Sequence, residues 1–188
     1  MIKEKKQRTV ATINARSFSV NLDEVKLPSG RVTERIRVEH PDASALVPIL
    51  NDGRIIFVKQ YRYSIKEETL EIPAGKIDPG ENPEECIKRE FEEETGYGVS
   101  DLEFLLKYVP AIGYSSEVLY IFKGTGIIPL KEKSISSDEI SRVEILSLKE
   151  IHKYIKQGII KDGKTLIALY SLFCDLITGD DFYDTKLE

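Results

Sequence analysis

The order of elements written into this chain predicts an α+β domain, and three observations carry that prediction. Strand-like segments separated by turn signals fill the first third, one well-capped helix occupies the middle, and two further helices close the chain. A length of 188 residues suits one domain with a sizeable core.

Extended segments come first, at residues 9–27 and 31–39. Pro28-Ser29-Gly30 divides them, a turn signal because proline presets φ and glycine accepts positive φ. A second pair, 43–50 and 54–63, flanks Asn51-Asp52-Gly53, the strongest short hairpin signal in the chain. Residues 69–72 read as a short strand leading to Gly75. Asn82-Pro83-Glu84-Glu85 then starts a helix, with Asn82 as N-cap, Pro83 in the first helical position and Glu85 reaching back as in a capping box. No breaker follows until Gly96, which supplies the C-terminal stop. Residues 101–109 and 117–123 alternate as two more strands joined by the loop 110–116. A polar loop at 131–137 precedes a strand at 142–146. Ser147-Leu148-Lys149-Glu150 is a second capping box, opening a helix that Gly158 ends. Asp162 caps a last helix whose stripe Leu166, Leu169, Tyr170, Phe173, Leu176 and Ile177 follows helical spacing and reads as core.

Composition narrows the partners. Net charge −5 and a pI near 5.3 argue against a general nucleic-acid binder, which needs a basic face. Residues 1–8 are basic (Lys3, Lys5, Lys6, Arg8) but no apolar run follows them, so they read as a loose tail, not a signal peptide. No apolar stretch approaches the ~20 residues that span a bilayer, so a membrane partner is not expected. Cys86 and Cys174 lie far apart within helical patterns and read as small buried side chains of a reducing compartment, the cytoplasm. With only His40 and His152 present, a His-rich metal site is excluded. His152 reads as solvent-facing and His40 as a turn residue before Pro41.

The chemistry concentrates between Gly75 and Tyr97, which fit Gly-x5-Glu-x7-Arg-Glu-U-x-Glu-Glu-x-Gly-U, with U apolar or aromatic. Gly75, Glu81, Arg89, Glu90, Phe91, Glu93, Glu94, Gly96 and Tyr97 fill every specified position. With average residue usage, the chance probability of such a match is roughly 10⁻⁷ to 10⁻⁶. Glu90, Glu93 and Glu94 stand at i, i+3 and i+4 and share one helix face, while Ile87 and Phe91 form an apolar pair that docks the helix. A solvated acidic face is the bland alternative. Clustered like charges, however, cost a helix a few tenths of a kcal/mol per pair, whereas a hard dication such as Mg²⁺ gains from them. Arg89, eight residues after Glu81, is placed for an internal ion pair that holds the intervening loop, and Gly75 and Gly80 permit the tight backbone there.

This pattern is the Nudix box, and the chain resembles the Nudix hydrolase superfamily. The resemblance implies a mixed β-sheet sandwiched between helices and cleavage of nucleoside diphosphates linked to another group. It implies Mg²⁺, or Mn²⁺, held by the Ala74 carbonyl, Glu90 and Glu94, with Glu93 supporting the cluster or binding a further ion. Val58–Tyr63, Leu70–Asp78 and the segment ending in Glu39-His40-Pro41 resemble the ADP-ribose pyrophosphatase branch, over residues 17–175. That likeness implies that Arg62 contacts the nucleotide and that Glu117 lies near the terminal ribose. It implies a general base, also a metal ligand, at Glu139, with Asp138 as the adjacent competitor and Glu93 the next candidate. The loop departs from the branch at Ile112, where a proline ordinarily precedes the glycine, so the sugar stays open. The arm at 9–40 would cross between subunits of a homodimer, or pair within one chain. Residues 41–178 would form the hydrolase domain and 179–188 a C-terminal tail. The expected reaction is metal-dependent hydrolysis of the pyrophosphate of ADP-ribose or a related NDP-sugar, giving AMP and ribose 5-phosphate from ADP-ribose. GDP-mannose or NADH are rival small-molecule substrates, and a catalytically silent nucleotide-sensing module is the rival of another class.

Overall fold

Turn chemistry divides the N-terminal segment more finely than its composition suggests. The computed structural model describes residues 3–130 and 140–178, with side chains through Cys174. In it, the stretch read as one extended segment folds back on itself, because Ala15 donates its N–H to the Phe18 carbonyl at 2.9 Å and closes a hairpin. Strands β1 (Lys5–Asn14), β2 (Ser19–Lys26) and β3 (Val32–Glu39) form an antiparallel sheet in that order. β1 therefore begins inside the segment read as a loose tail; its basic residues face acidic partners across the sheet, Lys6 on Asp23 and Arg8 on Glu24.

The chain separates into two compact units. The first comprises Met1–Asp42 and Tyr108–Leu119. Its buried side chains line the central strand: Asn21, Asp23 and Val25 alternate inward, the period-2 pattern of a half-covered strand. Asp23 accepts from the Thr9 hydroxyl and from Arg37, which hold its carboxyl down at about 2. The loop 108–119 adds a rung beside β3, with Val38 N–H donating to the Tyr114 carbonyl at 2.7 Å and Ser116 N–H to the Val38 carbonyl at 3.0 Å.

The second unit, Ala43–Lys107 with Tyr120–Glu188, holds two sheets and three helices. One sheet runs β7-β4-β9-β8, from Ala74–Lys76, Ala43–Pro48, Leu119–Pro129 and Tyr97–Tyr108. The other runs β10-β5-β6, from Ile140–Leu146, Ile55–Arg62 and Glu67–Glu71. Helices are α1 (Pro83–Thr95), α2 (Leu148–Lys156) and α3 (Gly163–Thr178), so the α+β class is the one adopted. Every residue of β4 is buried, and both α1 and α3 pack on it, as a strand covered on both faces requires. The core gathers Leu46, Ile56, Phe122 and Ile127 around Ile87 and Phe91, the apolar pair of α1. Each of those two side chains contributes about 2 kcal/mol by leaving water.

Two packing expectations need correction. Tyr170, read as core, is 55% exposed, and the buried stripe of α3 is Thr165, Ala168, Leu169 and Leu172. Spacing alone could not choose between these overlapping faces, since a threonine and an alanine carry too little hydrophobicity to mark one. Cys86, on α1, is buried, but Cys174, on α3, is exposed.

Candidate active site

Local chemistry places α1 before any tertiary contact does. Asn82 accepts from the N–H groups of Glu84 and Glu85, and Glu85 returns a bond to the Asn82 N–H, closing the capping box. Gly96 ends the helix in the left-handed region at φ 74, a conformation glycine adopts without steric cost. The acidic face is then graded by depth: Glu94 is 7% exposed, Glu90 is half-buried, and the Glu93 side chain is 44% exposed.

Glu94 lies against the strand that precedes the box. Its Oε2 accepts from the Ala74 N–H at 3.2 Å. Burial, and then the neighbouring Glu90 carboxylate, push its carboxyl up to about 8, against the opposing pull of the Ala74 N–H and of the Lys164 and Arg62 charges. Burial also raises Glu90.

Arg89 binds the loop to the helix. Its Nε and Nη2 donate to the two oxygens of Glu81 at 2.9 and 3.0 Å, and its Nη1 donates to Glu90 Oε1 at 2.8 Å. Nη2 also reaches the Lys76 carbonyl at 3.3 Å. The two loop glycines serve different needs. Gly80 takes φ +89, which is a backbone requirement, whereas a Cβ on Gly75 would stand 2.0 Å from Glu90 Cδ, which is a space requirement. Gly75 therefore makes room for a carboxylate, a reason its place in the motif does not reveal.

Arg62, at the end of β5, donates from Nε and Nη2 to both oxygens of Glu71 at 2.7 and 2.5 Å. Glu71 is 2% exposed and also accepts from the Thr69 hydroxyl and the Lys164 ammonium. Burial alone would raise its carboxyl, but the bonds from Arg62 and the charge of Lys164 overcome burial and bring it down to about 2. This network was missed in the sequence; its signal was a charge enclosed by Leu70 and Ile72 in a strand pattern. Glu117 belongs to the first unit, where its Oε1 stands 3.6 Å from His40 Nδ1. Glu139 and Asp138 lie outside the described residues.

Among the described residues, no group of three His, Cys, Asp or Glu side chains stands as a ready-made metal cage. Glu90 is turned to Arg89 and Glu94 to the Ala74 N–H. The donor chemistry nevertheless fits a hard dication: two neighbouring carboxylates are withdrawn from water, and the Glu90 charge disfavours ionisation of Glu94.

The comparisons with known proteins bear on this arrangement. The family model of the NUDIX domain matches residues 39–168. The chain is 36% identical over 174 residues to the methanol dehydrogenase activator of Bacillus methanolicus, covering 92% of this chain and 94% of that protein. It is 31% identical over 175 residues to the ADP-ribose pyrophosphatase of Bacillus subtilis (strain 168), covering 91% and 95%. A crystal structure of an ADP compounds hydrolase matches with a TM-score of 0.79 at 25% identity, over 95% of this chain and 97% of that one.

Proposed function

The chain belongs to the Nudix family and is a Nudix hydrolase of nucleoside diphosphate derivatives; from that premise we propose that its substrate is ADP-ribose or a related NDP-sugar, with AMP and ribose 5-phosphate as the products from ADP-ribose. The similarity to an ADP-ribose pyrophosphatase along nearly the full length of both chains supports the substrate. The observation that carries the chemistry is Glu94, buried beside Glu90 with the Ala74 N–H as its hydrogen-bond donor.

Glu90, Glu94 and the Ala74 carbonyl would hold Mg²⁺, with Mn²⁺ as a substitute, and Glu93 borders the same face. The ion supplies positive charge for the diphosphate and eases the ionisation of water. Arg89 orients Glu90 and ties it to the loop through Glu81. Arg62 is assigned to the nucleotide and Glu117 to the terminal ribose. Glu139 is assigned as the base that takes the proton of the attacking water and as a further ligand, with Asp138 next to it as the competitor.

A cytoplasmic homodimer completes the proposal. The arm supports the dimer: Val10, Ile13, Val32 and Ile36 are exposed apolar side chains on a three-stranded sheet, with Phe18 exposed in the turn between its first two strands, a surface that gains from a cover. Cys86 and Cys174 form no disulfide with each other, which suits a reducing compartment. Among the described residues, no helix is long and apolar enough to cross a membrane.

The test is phosphate release over a panel of ADP-ribose, other NDP-sugars including GDP-mannose, and NADH, with Mg²⁺ and added phosphatase to reveal AMP. ADP-ribose should be turned over fastest, and EDTA should abolish release. Preference for GDP-mannose moves the substrate, while binding without release from any of them supports a nucleotide sensor instead.

A further inference from the structure

Glu71 has no place in the chemistry just described, yet among the described residues it is the most completely enclosed carboxylate of the second unit. Its two oxygens receive the Arg62 fork, the Thr69 hydroxyl and the Lys164 ammonium. Lys164 in turn donates to Asp162 Oδ2 at 3.0 Å, and Asp162 accepts from the Thr165 hydroxyl at 2.6 Å. Thr165 Oγ1 then accepts from the Ile72 N–H at 3.0 Å, one residue beyond Glu71. The ring of contacts closes on itself and ties the end of β6 to the start of α3.

Stability alone does not call for such an arrangement. Buried ion pairs lose in desolvation much of what they gain in attraction, and apolar replacements of similar volume are often as stable. What the arrangement achieves is direction. A bidentate carboxylate fixes the plane of a guanidinium, which a single contact would leave free to swing. The Arg62 side chain is held from inside while 38% of it stays exposed, so it is fixed and reachable together.

We propose that Glu71 is a positioning residue: clamped between Thr69 and Lys164, it sets the orientation in which the Arg62 guanidinium meets the nucleotide. The proposal rests on the assignment of Arg62 to the nucleotide. Glu71 touches no reacting atom and acts through Arg62, so losing it should weaken binding while leaving the chemical step nearly intact.

The experiment compares Arg62→Ala, Glu71→Gln, their double variant and Thr69→Val, using ADP-ribose with Mg²⁺ and recording KM, kcat and melting temperature for each. Glu71→Gln should raise KM about tenfold with kcat within about threefold, as expected when ground state and transition state lose the same contact. In the Arg62→Ala background the same change should raise KM no further, because both substitutions remove one interaction. Thr69→Val keeps every charge and should raise KM a few-fold; it carries the test if Glu71→Gln does not fold. A lower melting temperature with unchanged KM in Glu71→Gln and Thr69→Val overturns the proposal and leaves a purely structural clamp. So does a full, additive KM effect of Glu71→Gln in the Arg62→Ala background. If Arg62→Ala itself leaves KM unchanged, the assignment of Arg62 to the nucleotide fails and the proposal falls with it, a result distinct from failure of Glu71 alone.

Discussion

Glu71 and Glu94 are both buried carboxylates of the second unit, and the chain treats them in opposite ways. Around Glu71 it supplies two cations and a hydroxyl, and the carboxyl falls to about 2. Around Glu94 it supplies one backbone N–H and a second carboxylate, and the carboxyl rises to about 8. Arg62 and Lys164 act on both groups, so the difference does not come from remoteness of positive charge. It comes from which carboxylate the cations touch. One glutamate is neutralised from within the chain; the other has no cation among its described hydrogen-bond partners, which suits the metal-ligand role proposed for it. Depth of burial alone therefore does not separate a structural carboxylate from a ligand; the partners within hydrogen-bond reach do.

The largest expected effect breaks the comparison at Glu94. Glu94→Gln keeps the shape and an oxygen for the Ala74 N–H but removes the charge. Turnover should fall by about two to three orders of magnitude, the scale seen when one preorganised electrostatic group is lost. The metal-free protein should meanwhile melt at a higher temperature, because folding no longer has to protonate or bury a carboxyl whose titration is pushed up to about 8. Opposite signs for activity and stability are the diagnostic. A variant that loses both would mark Glu94 as a structural residue.

Glu71 should respond in the reverse sense, and pH shows it. Its folded carboxyl titrates at about 2 against a reference of 4.5. The stabilisation is thus fully present above 4.5 and is lost as pH falls towards 2. With each unit worth 1.36 kcal/mol, the contribution near neutrality is about 3 kcal/mol. Acid melting curves of wild type and Glu71→Gln should lie well apart at pH 7 and converge between pH 4.5 and 2. Parallel curves through that window would remove the contrast with Glu94.

Arg89 sharpens the same contrast, since its guanidinium bonds Glu90 and reaches Glu93, two of the carboxylates proposed to face the metal. Arg89→Ala leaves Glu81 and Glu90 without their charge-assisted bonds, each worth about 1.5–3 kcal/mol before relaxation. A net loss of about 2 kcal/mol corresponds to a melting point lower by about 4–8 °C for a chain of this size. Equal melting temperatures would show that the loop is held by other contacts.

These distinctions mark where the sequence stops being legible. Motif spacing placed Glu90, Glu93 and Glu94 on one face of a capped helix because α-helical geometry is local, and the caps at Asn82, Ser147 and Gly96 are present for the same reason. It could not rank the three glutamates by depth, since that depends on β4 and β7 packed alongside. It could not find the Glu71 clamp either, because Lys164 is 93 residues away in the chain. Nor could it assign Gly75 to the space beside Glu90 and Gly80 to a left-handed turn, since glycine is written the same way for both needs. The hairpin 15–18 escaped because it contains neither glycine nor proline.

The smallest expected effect lies in the turn that brings β5 against β6 and so sets Arg62 opposite Glu71. Lys66 donates its N–H to the Arg62 carbonyl at 2.8 Å and takes φ 56, the only positive φ outside glycine among the described residues. A side chain in that region costs about 1–2 kcal/mol. Glycine removes this cost but adds about 0.5–1 kcal/mol of chain entropy to be lost on folding. Lys66→Gly should therefore stabilise the protein by about half a kcal/mol. A melting point raised by a degree or two, with KM for ADP-ribose unchanged, would show that the turn stores strain without directing Arg62. A raised KM would instead show that the carboxylate clamp is not sufficient and that the hairpin shares in aiming the guanidinium.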